Sequence, residues 1–355
     1  MRATVLPLVS RPPTLAELEL CDLEAVRLLL RGHSVVDWHR LSFEHHEHVD
    51  RFLRLNEFNP QAEDEMVRLE EIRHQAVEYL MRVHGFSLPE QVSDDVAARD
   101  LLLVASRQGP DQKWACVVLK TMHIMHHIAG RETLLSVSIS DDAIFREIEL
   151  KVLKVVEELR AAGAPISEFQ WSRKSRDSQV TKLLAKRSTI AANIYDKLRF
   201  RLIVPNADDL LPTLVALTRY LVPFNYVVPG ESLNQLIDLR HVVEHTGDLL
   251  PLAAKMQMDD EGAAERRFNE FSGAEYRIIN FVADLPLRLD GMLAADEITP
   301  ELSHVVFALT EFQICDRETA RRNEQGDASH DLYKASQHDR VRRRLLRGEH
   351  DALPE

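Results

Sequence analysis

The chain has 355 residues, 45% of them hydrophobic and 28% charged, with a formal net charge of −13. That length suits about two domains, and that composition has neither the apolar poverty of a disordered chain nor the apolar excess of a membrane protein. No window comes near the roughly 18 uninterrupted apolar residues of a membrane span, and so acidic a chain is not expected to hold duplex DNA, whose binding domains are normally basic.

At the N-terminus, MRATVLPLVSRPPT has too short an apolar run for a signal peptide. Cys21, Cys116 and Cys315 are far apart and odd in number, which fits a reducing compartment and small core residues rather than a disulfide framework. A cytoplasmic location without membrane contact is the expectation.

Arg11-Pro12-Pro13 ends an extended arm, and Thr14-Leu15-Ala16-Glu17 has the form of a capping box. Helices are predicted near 14–31, 61–84, 111–129 and 141–162, with a turn at Gly85 and loops around Pro60, Pro89 and Gly109-Pro110. In the last helix Ile144, Ile148, Val152, Val155, Val156 and Leu159 form one apolar stripe, and Gly163 is placed to stop it. Residues 1–160 are therefore predicted to form a helical domain, its role unassigned. Its histidines (His45, His46, His48, His123, His126 and His127) raise metal binding. Residues 111–129 nevertheless have the pattern of an amphipathic core helix with histidines at its edges, so helix packing is the expected role.

Past Gly163 the pattern alternates between strand and helix. Strands are predicted over Pro165 to Trp171, Ile194 to Val204 and Tyr276 to Leu289, and another includes Glu311 to Cys315. In that last one Glu311 and Gln313 share one face and Phe312 and Ile314 the other. Asn206-Ala207-Asp208-Asp209 should cap a helix to about Leu221, and 223–270 is predicted to be an insertion. A helix from about His330 ends in several arginines, expected as a solvated end complementing the dipole. The pattern is α/β or α+β with few strands.

Between Ser172 and Arg201 the charge inverts: nine Lys/Arg stand against Asp177 and Asp196. Lys174, Ser178 and Lys182 share a face if a helix starts near Ser175. Asp196 stands among Lys197, Arg199 and Arg201, an arrangement suited to a carboxylate holding a metal between phosphates. A nucleoside triphosphate site fits these residues; so does a solvated, salt-bridged helix followed by an ordinary strand. Spacing alone leaves both open.

The pattern Lys174-x-x-x-Ser178-x-x-x-Lys182, followed by Tyr195-Asp196 and Phe200-Arg201-x-Ile203-Val204, resembles the synthetase domain of RelA/SpoT-type (p)ppGpp synthetases. A second patch agrees: Glu311-Phe312-Gln313-Ile314, then Glu324, Gly326, His330 and Tyr333-Lys334, is similar to that family's E-x-Q-I-R-T and A-E-x-G-x-A-A-H-W-x-Y-K signatures. The resemblance covers about 165–345. It implies an α+β, nucleotidyltransferase-like fold over 165–347, a mixed β-sheet flanked by helices, following the helical domain. It implies transfer of pyrophosphate from ATP to the 3′ hydroxyl of GDP or GTP.

Residue by residue, the resemblance implies that Asp196 and Glu311 are the catalytic acids that hold Mg²⁺. Lys174, Ser178 and Lys182 match the ATP-phosphate residues, with Arg173 beside them and Arg199 and Arg201 adding charge from the strand. Gln313 completes the polar edge of the E-x-Q-I motif, and Tyr276 matches the tyrosine that stacks on the guanine. Four departures stand out: Glu275 for glycine and Asn280 for histidine in the acceptor loop, Ser172 for an arginine, and Cys315 for the arginine of Q-I-R-T. The metal-hydrolase signature that long members carry before the synthetase is missing, since His-Asp pairs occur only from residue 330 onward. The altered acceptor loop leaves three readings open: alarmone synthesis, transfer to another 3′ hydroxyl such as a tRNA end, and a non-catalytic nucleotide sensor. A homo-oligomer is also left open.

Overall fold

The computed structural model describes residues 5–31, 38–185, 197–256, 276–293, 302–324 and part of 339–346. Within them the chain is an α+β protein with a five-stranded mixed sheet. Six helices come first: α1 Leu20–Arg31, α2 His46–Leu55, α3 Glu63–His84, α4 Ala98–Ser106, α5 Gln112–Ser136 and α6 Asp141–Ala161. Three match the predicted helices within a few residues, except that α5 runs further, to Ser136. The first is shorter than predicted. The capping box at Thr14 is real, with Thr14 N–H donating to Glu17 at 2.8 Å, but it closes only a 3₁₀ turn, Leu15–Glu17. Leu18 is extended, so the helix proper starts at Leu20. Helices α2 and α4 were not anticipated. Elsewhere the local signals hold: Ser140 accepts from Ala143 N–H at the start of α6, and Gly85 ends α3 at φ 65°.

The remaining elements are β1 Glu168–Arg173, α7 Arg176–Ala185, β2 Leu198–Val204, α8 Leu210–Tyr220, β3 Leu233–Asn234, α9 Leu239–His245, α10 Leu250–Ala253, β4 Ile279–Arg288, β5 Val305–Asp316 and α11 Arg317–Glu324. Strand order is β1-β2-β5-β4-β3; β2 and β5 are parallel and every other pair is antiparallel. Segment 276–278 precedes β4 rather than belonging to it, so Tyr276 lies before the strand predicted for it. Residues 224–253 carry short helices and β3, whose Leu233 pairs with Asn280 at the sheet's edge.

Period-two alternation decides how the sheet is used. On one face Phe200, Phe312 and Phe281 stand in register across β2, β5 and β4, with centroids 5.6 and 5.2 Å apart and rings nearly parallel. Apolar side chains of α1, α6 and α8 cover that face and complete one continuous core. A second core joins α1 to α5. The opposite face is covered at one end by α5, which crosses β5 so closely that a Cβ on Gly130 would meet Phe307 at 2.4 Å and the Val305 carbonyl at 2.7 Å. Glycine at 130 is what permits that approach. Beyond α5, the same face carries polar side chains.

Candidate functional site

Going from Phe307 toward the end of β5, the residues sharing its face are Leu309, Glu311, Gln313 and Cys315. The parallel register sets Arg199 beside Glu311 and Arg201 beside Gln313, while antiparallel β4 sets Asn280 on the other side of Gln313. Arg199 Nε donates to Glu311 Oε2 at 2.6 Å, and Gln313 Nε2 reaches Glu311 Oε1 at 3.3 Å. Glu311 is 8% exposed, so a carboxylate that would be costly alone is held by a guanidinium. Arg201 Nε and Asn280 Oδ1 are buried without a hydrogen-bond partner, leaving donor and acceptor capacity on this face.

Tyr276 is half-buried and belongs to none of the apolar clusters. Burial pushes its phenol pKa up, while Arg201 and Arg199 pull the other way, so the phenol lies within electrostatic reach of both guanidinia. The Cys315 thiol is likewise raised by burial and lowered by Arg201. Thus Tyr276, Arg199, Arg201, Glu311 and Gln313, separated by up to 114 positions in the sequence (199 to 313), converge on one surface.

The basic stretch is laid out differently from its simplest reading. Arg173, at the end of edge strand β1, is engaged by Glu149 of α6 through two hydrogen bonds of 2.5 and 2.9 Å, with Asp142 at 3.3 Å. Its charge is thus already matched. Lys197 reaches Asp141 at 3.4 Å. Ser175 Oγ accepts from Ser178 N–H at 3.3 Å and starts α7, one residue before the helix bounds. Lys174 N–H donates to the Lys197 carbonyl at 2.8 Å, anchoring the start of α7 beside the start of β2. Ser178 is exposed and Lys182 half-buried on that helix. Asp196 lies outside the described residues, as do Gly326, His330, Tyr333 and Lys334 of the second signature.

Asn280, a departure from the family pattern, is a further residue of this polar face. The alternation Asn280, Val282, Asp284 in β4 was the available signal that it shares a face with Gln313. The histidines also differ from expectation: His126 is buried, its Nδ1 paired with the Tyr226 hydroxyl at 2.8 Å, and His127 Nε2 meets Asp284 at 2.8 Å. Partners from the second half of the chain draw them inward.

Among the described residues, the one group of three side chains close enough to share a metal ion is Glu19, Cys21 and His48. His48 Nε2 already meets Glu19 at 2.9 Å, and burial pushes the Cys21 thiol up to about 12, keeping it protonated. Arg51 and Arg219 stand alongside. This is a hydrogen-bonded junction between helices, with cations where a metal would need acids.

No family model matches this chain, and no curated protein does. Solved structures that it resembles include small alarmone synthetase 1 from Bacillus subtilis, at 16% identity and a TM-score of 0.30, covering 58% of this chain and 88% of that one. The same enzyme bound to its product pppGpp aligns at 14% identity and a TM-score of 0.28, over 68% of this chain and 100% of that one. A GTP pyrophosphokinase family protein from Streptococcus pneumoniae aligns at 14% and 0.30, over 59% and 85%. Similarity at this level assigns no activity to the chain.

Proposed function

We propose that this protein transfers pyrophosphate from ATP to the 3′ hydroxyl of a guanine nucleotide. The observation that carries the reading is the juxtaposition, on neighbouring strands, of Arg199, Arg201, Glu311 and Gln313 with Tyr276 beside them. Its agreement with the motif pattern in the sequence supports it.

Pyrophosphoryl transfer requires charge neutralisation along the phosphates and alignment of donor and acceptor. Arg199 and Arg201 supply fixed positive charge; Lys182 on α7 and Lys174 just before it supply more, with the Ser178 hydroxyl between them in sequence. The Arg199 bond orients Glu311 and, among the described residues, leaves Oε1 with only the long contact from Gln313. A single oxygen of this kind, with substrate phosphates completing the shell, suits Mg²⁺, which commonly takes only one or two protein carboxylates. Glu311 thus fits the metal, and Asp196 is the second acid assigned to it. Bound there, Mg²⁺ would neutralise and align the β- and γ-phosphates. Tyr276 offers a ring beside the cations for the acceptor base, and Asn280 and Gln313 offer amides to its edge.

The test is incubation of the full chain with γ-labelled ATP and Mg²⁺ and each of GDP, GTP, GMP and deacylated tRNA. Label on a guanine nucleotide is the expected result. Label on tRNA alone would replace the acceptor, and ATP binding without transfer to any acceptor would replace the enzyme with a sensor.

A further inference from the structure

His127 of α5 and Asp284 of β4 make a contact that the site described above leaves unused: His127 Nε2 meets Asp284 Oδ2 at 2.8 Å. Asp284 is 5% exposed, and this is the one hydrogen bond its side chain makes among the described residues. A carboxylate only accepts, so Nε2 carries the proton and Nδ1 of the neutral ring keeps its lone pair. The His127 side chain is 36% exposed, and Nδ1, bonded to no described residue, is not sealed in the interior. A carboxylate behind an imidazole whose other nitrogen is accessible is the arrangement that orients a general base.

The sheet register sets this pair next to Glu311. Asp284 opposes Leu309 and Val282 opposes Glu311, and alternation puts all four on the polar face. Asp284 and Glu311 are therefore diagonal neighbours, with backbones roughly 7–8 Å apart. The imidazole reaches this row from α5, its ring standing edge-on to Phe307 at 4.7 Å. It thus lies where the covered end of the face gives way to the charged end. Around it stand Tyr226 at 5.5 Å, whose hydroxyl is paired with His126, and His123 at 6.3 Å, one turn earlier on α5; exposed Arg131 follows one turn later. Asp284 is the one acid bonded to the ring among the described residues.

Transfer to a hydroxyl requires an acceptor for its proton. Glu311 is poorly suited, because Arg199 and the metal assigned to it both hold its negative charge. We propose that His127 is the general base of the transfer and Asp284 its positioning residue, an inference that rests on the pyrophosphoryl reading. As the 3′ oxygen bonds to the β-phosphorus of ATP, its proton passes to His127 Nδ1. The bond from that phosphorus to the oxygen bridging to the α-phosphate breaks, AMP leaves with the electron pair, and the imidazolium returns the proton to solvent. Asp284 keeps the tautomer and steadies the imidazolium.

The experiment measures kcat against pH by label transfer in the full chain for wild type, His127→Gln, His127→Ala and Asp284→Asn, beside melting curves. His127→Gln should lower kcat by roughly 10²–10⁴-fold with the KM for ATP little changed. Wild-type kcat should fall on the acid side as the imidazole takes up a proton, and the glutamine variant should lack that limb. Added imidazole should restore part of the activity of His127→Ala, and Asp284→Asn, which leaves His127 in place, should lower kcat by a smaller factor. Unchanged kcat in a folded variant of either residue, a persisting acid limb in His127→Gln, or a loss in His127→Ala that imidazole leaves untouched would each overturn the proposal, the last making His127 a strut between α5 and β4. Absence of transfer by wild type is the distinguishable case, in which the pyrophosphoryl reading falls and takes the base with it.

Discussion

Arg199 on β2 and Glu311 on β5 stand opposite one another in parallel register, and the guanidinium donates to the carboxylate at 2.6 Å. Strand pairing therefore fixes an acid beside a cation before any substrate arrives. Glu311→Gln should lower transfer by roughly 10²–10³-fold, because it removes the charge proposed to hold the metal. The melting temperature should change little, since glutamine still accepts from Arg199. A label-transfer assay beside a melting curve checks both, and full turnover in a folded variant would remove Glu311 from the site.

Tyr276 lies outside the apolar clusters and within electrostatic reach of Arg199 and Arg201. Tyr276→Ala should accordingly cost roughly 1–3 kcal/mol in acceptor binding, as loss of base–aromatic stacking does, with ATP affinity and folding stability nearly unchanged. Were the ring a packing element, truncation would instead remove about 3–5 kcal/mol of stability. Acceptor titration and urea unfolding of the same variant separate the two.

Lys151 of α6 donates at 2.6 Å to both Glu57 and the Pro286 carbonyl of β4, with both charged side chains almost wholly buried. Lys151→Met should destabilise the protein by about 3–5 kcal/mol, because it strands the Glu57 carboxylate in the interior. Adding Glu57→Gln should recover part of the loss. Urea midpoints of the single and double variants test this; equal stability of Lys151→Met and wild type would mean that Glu57 finds another partner or water.

Burial lowers His123 and His126 from the ordinary value of 6.5 to about 3. Below pH 6.5 the unfolded chain takes up protons that the folded chain refuses, so stability is intact above that pH and falls as pH drops toward 3. Each group contributes at most about 1.4 kcal/mol per pH unit. Urea unfolding across this range should show the decline, and His123→Gln should make it shallower. An unchanged slope in that variant would place His123 in contact with solvent.

Much of the sheet was legible in the sequence because alternation is a local property. Phe312 and Ile314 against Glu311 and Gln313 could be sorted by reading consecutive residues, and the structure sorts them the same way. Helix α2 was hidden because HEHVDRFLRL drew attention to its histidines, and α4 because ARDLLLVAS is short and its apolar residues form one unbroken run, without a capping residue before it. Long-range pairings could not be read at all. Arg173 reads from its neighbours as available for phosphate, but Glu149, 24 residues earlier, holds it; His126 reads as peripheral, but it is bonded to Tyr226, 100 residues later. Neither residue's local surroundings announce that partner. Their tertiary partners decide.

Gly130 gives the far end of β5 an importance its distance from Glu311 conceals. Phe307 and Glu311 are four residues apart on one strand, about 13 Å at strand rise, and the strand between them is a stiff rod clamped in the sheet. The crossing at Gly130 is the fulcrum of that rod. A side chain inserted there would pry α5 and β5 apart and pass the displacement along to Arg199 and its carboxylate, so damage at a bare, chemically inert position would be felt as misalignment of the charged surface.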